Sequence, residues 1–203
     1  PLLDPDDPVR SPRALFDKAR GLDPCVLITL AGIDEIDLVL TADAGGPIRH
    51  HLTEVIETDA SSTIRQSPDG WTRRYAIRHE ERQYTGKDRE PGKPDSTTVM
   101  VGVLVDEEGV PLPTEDTART VYSYLPTNEV SGLKFFVQGH FDVPVDRERI
   151  NPDSAWNAWI LDQVPIQLRR IAQNIETEAQ ACGFLDVLPL ATELVSPIYR
   201  RVP

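Results

Sequence analysis

After a short helical stretch at its start, the chain shows one main change in the spacing of its apolar residues, near Asn151. Before this point, short apolar runs are separated by glycine, proline and charged residues, a pattern typical of β-strands. After it, Ile160, Leu161, Val164 and Leu168 recur at steps of three and four residues, as on a helix with one apolar face. The pattern predicts a series of strands followed by helices.

One short helix is expected ahead of the strands, in the stretch SPRALFDKARG. Ser11 can cap it, Pro12 suits its first position and Gly21 can end it. The predicted strands follow in this order: CVLITL and IDEIDLVL, PIRHHLTEVIE, GWTRRYAIRHEERQY, TTVMVGVLVD, VYSYLP, and LKFFVQGHF.

These elements predict a single domain over residues 1–203, of mixed α/β (α+β-like) class. We expect a mostly antiparallel sheet with its apolar face covered by helices. Pro165 has no amide hydrogen, so it should kink the long helical stretch or start a second helix there. Residues 176–203 are expected to form the end of a helix and a tail that contains several prolines. The chain begins with proline rather than methionine, and we interpret it as a fragment of a longer protein.

Charge narrows the range of partners. The chain has 21 Lys and Arg against 33 Asp and Glu, a net charge of −12, which disfavours nucleic acid and anionic membranes as partners. No apolar run reaches membrane-spanning length, and a cytoplasmic protein is expected. Cys25 and Cys182 fit no metal spacing and lie among apolar neighbours, which predicts buried, reduced thiols.

The chain offers no metal or cofactor motif of its own. Its histidines, His50, His51, His79 and His140, form no HExxH element, and the first two, being adjacent, would point to opposite faces of a strand. GxSxG, GxxxxGK[ST] and GxGxxG are all absent. We predict no metal and no cofactor bound by this chain.

The segment DVPVDRERINPDSAWNAW carries the candidate chemistry. Arg147 and Arg149 are two residues apart, so in extended backbone they share a side, and Asp146 and Glu148 point the other way. Ion pairs with nearby acids are the simplest explanation of both arginines.

A helix is predicted directly after these arginines. Its cap is expected near Asn151 or Asp153. Trp156 and Trp159 are three residues apart, so they share one face of this helix and are expected in the core.

The region from Tyr122 to Leu161 resembles the segment that follows the ATP-binding domain in bacterial sacsin-like and Hsp90-type GHKL ATPases. The matching elements are Leu125-Pro126-Thr127, Gly132-Leu133-Lys134-Phe135, Phe141, Arg147-Glu148, Trp156-Asn157 and Trp159. A weaker likeness extends over residues 11–175, which would form the core of a middle, or transducer, domain. The resemblance implies a transducer-type fold that includes a left-handed βαβ crossover.

The resemblance also implies a role. Arg147 would contact the γ-phosphate of ATP bound with Mg²⁺ in the N-terminal ATP-binding domain of the same polypeptide, and Arg149 is a candidate for a second contact. The ATP-binding motifs of the family do not occur in this chain. The chain alone is therefore not expected to be an enzyme, whereas the parent protein is expected to be an ATPase.

Two alternatives remain open. In one, the sheet and the charged loop from Thr85 to Ser96 bind a client or partner protein, and the arginines make only internal salt bridges. In the other, the chain is an independent hydrolase that uses its histidines.

Overall fold

The computed structural model describes residues 11–21, 23–30, 32–42, 46–58, 60–67, 70–86, 92–114, 120–145 and 149–202. The chain divides into two compact units. Unit 1 comprises residues 1–55 and 63–73, and unit 2 comprises residues 56–62 and 74–203. The expectation of one domain over residues 1–203, with a core of 11–175, stays a prediction.

The described part of unit 1 contains two helices and three strands, the first two of which pair antiparallel. The predicted first helix is confirmed: Ser11 Oγ accepts the Ala14 N–H at 3.2 Å and so caps its first turn. The elements are α1 (Pro12–Arg20), α2 (Val26–Thr29), β1 (Glu35–Ala42), most of β2 (Gly46–Thr58) and most of β3 (Ser61–Ser67). β1 pairs with β2, and α1 packs against β1.

The prediction of a strand in CVLITL is wrong, because Val26–Thr29 is the helical turn α2. The Asp23 carboxylate accepts the Cys25 N–H at 2.9 Å, which favours a turn just before the helix. All four residues of α2 are buried. A short apolar run can be buried as a helical turn or as a strand, so its pattern does not separate the two.

Unit 2 holds the remaining strands and the helices that cover them. Its elements are β4 (Thr72–Gln83, from residue 74), β5 (Ser96–Val105), β6 (Pro111–Leu112), β7 (Val121–Ser123), β8 (Leu125–Pro126), β9 (Phe136–Gln138), α3 (Ala155–Ala172), α4 (Glu178–Val187) and a C-terminal 3₁₀ helix (Pro197–Arg201).

The strands of unit 2 confirm a mixed class with a mostly antiparallel sheet. They lie in the order β4, β5, β9, β7, β8, with β6 beside β5. The pairs β4–β5, β5–β9, β5–β6 and β7–β8 are antiparallel, and β7–β9 is parallel. Residues 124–135, which connect the parallel strands, contain β8 and loops. A left-handed βαβ crossover is therefore not found in the described part of this unit, because no helix joins its parallel strands.

The core of unit 2 lies between β5 and α3. Val99, Val101 and Val103 alternate along β5 with no exposed surface, as expected for one face of a strand. They belong to the same apolar cluster as Ile160 and Leu161 of α3. α3 thus covers this face of β5.

α3 continues through Pro165 as one helix, so a second helix does not start there. The helical stretch after Gln173 is a separate helix, α4, which Thr177 and Gln180 begin with a reciprocal capping box. Cys182 on α4 is exposed, so the prediction that both cysteines are buried holds for Cys25 and fails for Cys182.

Candidate functional site

The arginine loop, residues 143–150, connects the strand-bearing part of unit 2 to α3. Asp146, Arg147 and Glu148 lie outside the described residues, so the placement of Arg147 stays a prediction. The structure describes both flanks of the loop and the contacts that hold them.

A single buried side chain joins the two ends of the loop. Asn157, in the first turn of α3, has no exposed surface. Its Oδ1 accepts the Asp142 N–H at 2.7 Å, and its Nδ2 donates to the carbonyl oxygens of Asp142 and Asn151, each at 2.9 Å. The Asn151 N–H also donates to the Asp142 carbonyl at 3.0 Å. Asp142 and Asn151 are therefore held side by side, as the neck of the loop.

These contacts also fix the orientation of the Asn157 amide. If its oxygen and nitrogen were exchanged, the amide nitrogen would face the Asp142 N–H and the amide oxygen would face the two carbonyl oxygens. None of the three hydrogen bonds could then form. The neighbouring Trp156 holds the chain just before the neck, since its indole N–H donates to the His140 carbonyl at 2.7 Å. Two consecutive residues of α3 therefore hold the backbone that leads into the loop.

The Asp142 carboxylate adds a third connection at the neck. Its Oδ1 pairs with Lys93 Nζ at 2.5 Å, and its Oδ2 accepts the Asn151 Nδ2–H at 3.3 Å. The hydrogen bond from Lys93 holds the pKa of Asp142 below its usual value; Asn151 and the charge of Lys93 act in the same direction, and burial opposes them. Lys93 belongs to the predicted loop Thr85–Ser96, so the structure brings part of that loop to the neck.

The far flank is anchored one residue after Arg149. Ile150 is buried, and its N–H donates to Glu129 Oε2 at 2.7 Å. Arg149 itself is exposed. On the other flank Val145 is fully exposed, at 103%. The loop is thus exposed on both described flanks and fixed at its base.

Arg149 forms no ion pair with a carboxylate in the part of the chain that the structure describes. Other arginines of unit 2 do form such pairs: Arg170 with Glu80 at 2.7 Å and Arg201 with Asp162 at 3.0 Å. The explanation of Arg149 by an internal ion pair therefore has no partner among the described residues.

The tryptophans lie in the core, as predicted. Trp156 is 1% and Trp159 8% exposed, and their ring centroids are 5.1 Å apart. Tyr84 joins them, with centroids 5.3 Å from Trp156 and 5.2 Å from Trp159. An open groove of about 360 Å³ beside this cluster is lined by Tyr84, Thr85, Gly86, Ala155, Ala158, Trp159, Asp162 and Arg201.

The histidines do not converge on a site. His50 is buried and its neighbour His51 half-buried, as expected for adjacent strand residues. The His51 ring lies 3.7 Å from a Glu35 carboxylate oxygen and 3.0 Å from Thr53 Oγ1. Within the described ranges, no three His, Cys, Asp or Glu side chains are grouped as metal ligands.

Several residues that carry the family resemblance have structural roles here. The N–H and Oγ1 of the buried Thr127 both donate to the Val121 carbonyl, at 2.9 and 3.0 Å. Gly132 has a φ of +82°, and a Cβ there would lie 2.1 Å from the Glu193 carbonyl oxygen. Phe135 is 1% exposed. These residues build unit 2, whereas Arg149 is exposed and outside its core.

Comparison with known proteins gives one short match. Protein NO VEIN of Arabidopsis thaliana is 42% identical to this chain over 45 residues, which are 22% of this chain and 2% of that protein. No protein-family model matches the chain. No solved structure matches it. Among the described residues, no helix is both long and apolar enough to cross a membrane. The relation to Hsp90-type ATPases stays a prediction.

Sequence reasoning missed the residues that fix the loop. Lys93 and Glu129 lie 49 and 21 residues from their partners, and no local pattern connects them. Asn157 stood out in the sequence only as part of the Trp156-Asn157 element of the family resemblance, which says nothing about its hydrogen bonds. The helix cap is Ser154, whose Oγ accepts the Asn157 N–H at 3.3 Å, rather than Asn151 or Asp153.

Proposed function

We propose that this chain is the non-catalytic middle, or transducer, domain of a larger ATPase of the sacsin-like and Hsp90 type. In this proposal Arg147 contacts the γ-phosphate of ATP, which is bound with Mg²⁺ in a preceding domain of the same polypeptide. Arg149 makes a second contact. Such a protein would act in the cytoplasm and couple ATP hydrolysis to conformational change.

One observation supports this proposal most directly: the arginine loop is fixed at both ends and exposed on both described flanks. Asn157 holds its neck and Glu129 holds Ile150, so Arg149 is presented from a rigid base. A catalytic group that is already positioned loses less entropy in the transition state, which makes it more effective.

The chemistry of arginine fits the role. Its guanidinium is always charged and presents several N–H donors in a fixed plane, which suits phosphate oxygens. In other phosphoryl-transfer enzymes, an arginine supplied from outside the nucleotide site raises turnover by about 10³–10⁵. Its contact depends on the γ-phosphate, so hydrolysis would release the loop and change the relation between domains.

A test is ATP turnover in the full-length polypeptide with Arg147→Ala or Arg149→Ala. We expect Arg147→Ala to lower turnover by at least about 10²-fold, with Arg149→Ala giving a smaller loss, because each removes a transition-state contact. The dissociation constant for ATP should change by less than about threefold, since most binding contacts lie in the other domain.

Arg169→Ala is a matched control, because Arg169 is also exposed but lies in the last turn of α3. This variant should turn over ATP at the wild-type rate. Wild-type turnover in both loop variants would contradict the proposal.

The alternative is a protein-interaction module with no part in nucleotide chemistry. The fully exposed Val145 favours it, because an apolar side chain exposed on the flank of a loop can anchor a partner. Val145→Ser separates the two functions: it should leave ATP turnover of the full-length polypeptide unchanged under the first proposal. Loss of a partner from Val145→Ser together with wild-type turnover in Arg147→Ala would favour the alternative.

A further inference from the structure

The last part of unit 2, residues 188–202, packs into its core. Leu194, Ile198, Tyr199 and Val202 are all buried, and Tyr199 and Val202 have no exposed surface. This segment is therefore part of the folded unit rather than a loose tail.

The same segment contacts the turn formed by residues 129–134. The Val195 N–H donates to the Ser131 carbonyl at 3.2 Å, and Glu193 pairs with Lys134 at 3.0 Å. The C-terminal segment and this turn are thus joined by both backbone and side-chain contacts.

Glu129, the first residue of this turn, faces two different parts of the unit. Its Oε2 accepts the Ile150 N–H at 2.7 Å, next to Arg149. It also lies near the buried Tyr199 hydroxyl: burial raises the pKa of Tyr199, and the Glu129 carboxylate adds to the rise. A carboxylate that accepts a backbone N–H makes a stronger bond than a neutral acceptor does.

We propose that Glu129 is a positioning residue for Arg149, and that the C-terminal segment, residues 188–202, holds Glu129 in place. Glu129 holds the backbone immediately after the exposed cation, and residues 188–202 hold the turn that carries Glu129. The positioning itself is a property of unit 2, whereas its consequence for ATP turnover rests on the proposed function.

Amide hydrogen exchange at Ile150, measured by NMR on the 203-residue chain, tests the positioning. Glu129→Ala removes the acceptor, so exchange at Ile150 should rise by at least about tenfold, the effect expected for one lost hydrogen bond. Glu129→Gln keeps an oxygen acceptor without the charge, so its exchange should rise by about threefold. Wild-type exchange at Ile150 in both variants would overturn the proposal, and the glutamine variant decides alone if the alanine variant does not fold.

Asp106→Ala is the matched control. Its carboxylate accepts the Val110 N–H at 2.7 Å, the same kind of bond elsewhere in unit 2, without contacting Ile150. It should raise exchange at Val110 and leave Ile150 within about twofold of wild type. An equal rise at Ile150 in Asp106→Ala and Glu129→Ala would show general loosening and overturn a specific role for Glu129.

ATP turnover of the full-length polypeptide separates this inference from the proposed function. If both hold, Glu129→Ala lowers turnover without weakening ATP binding, and Glu129→Gln recovers much of the loss. Faster exchange at Ile150 with wild-type turnover in Glu129→Ala and Arg147→Ala would reject the ATPase role and keep the positioning. Reduced turnover in Arg147→Ala with wild-type exchange in the Glu129 variants would reject the positioning and keep the ATPase role.

Discussion

Asn157 shows how one residue can set the geometry of a loop that it does not belong to. Its amide bonds to Asp142 and Asn151, which lie 15 and 6 residues away in the sequence. Neither aspartate nor leucine can replace it, because aspartate has no donor for the two carbonyls and leucine has no polar group at all. The side chain is fully buried, so water cannot supply the missing bonds.

Asn157→Ala should lower the free energy of unfolding by about 2–4 kcal/mol, since it removes the three hydrogen bonds that this fully buried side chain makes to partly buried backbone groups. Urea denaturation monitored by tryptophan fluorescence measures this. Asn174→Ala, at an exposed position after α3, is the control and should change the value by less than about 0.5 kcal/mol. An equal effect of the two substitutions would show that the hydrogen bonds of Asn157 at the neck contribute little to the free energy of unfolding.

At the scale of elements, the neck joins the loop between β4 and β5 to the chain that follows β9. The Lys93–Asp142 pair makes this connection, and both side chains are mostly shielded, at 21% and 32% exposed. The two residues are far apart in sequence, so no pattern of either segment predicts that they meet.

The stabilising effect of the Lys93–Asp142 pair should depend on pH. The pKa of Asp142 is lowered in the folded state, so its stabilising effect is present above the unfolded-state pKa and is lost as pH falls through the folded-state pKa. A double-mutant cycle with Lys93→Met and Asp142→Asn should give a coupling energy of about 0.5–1 kcal/mol at pH 7 that vanishes in strong acid. Urea denaturation at several pH values measures it, and a coupling that grows on acidification would contradict the assignment.

Elements with long, regular patterns were predictable from the sequence, and short ones were not. β5 alternates buried and less buried residues over ten positions except at the buried Gly102, and α3 carries its apolar stripe over eighteen, so both follow from periodicity. α2 has four residues, too few to show any period. Pro165 did not end α3, because the buried residues on both sides of it, Leu161 and Leu168, keep the helix packed.

At the scale of the whole molecule, the location of the candidate site was predictable from the sequence, but the contacts that hold it in place were not. The arginines stand out as cations between a strand and a helix in an acidic chain. What fixes that corner is a set of contacts among Lys93, Glu129, Asp142 and Asn157, which come from separate elements and meet only in the folded unit. Local propensity carries no information about such contacts.

The central claim is that the arginine loop enters a nucleotide site in another domain, and thiol labelling tests it most directly. Cys182 is exposed and Cys25 is buried, so the full-length polypeptide would first carry Cys182→Ser, with any exposed cysteine outside these 203 residues also replaced, and then Arg149→Cys, or Arg169→Cys as the control. The account predicts that a non-hydrolysable ATP analogue with Mg²⁺, but not ADP, slows labelling at position 149 by at least about tenfold, because a closed site excludes the reagent. Equal labelling rates with the two nucleotides, at saturating concentrations of both, would contradict it.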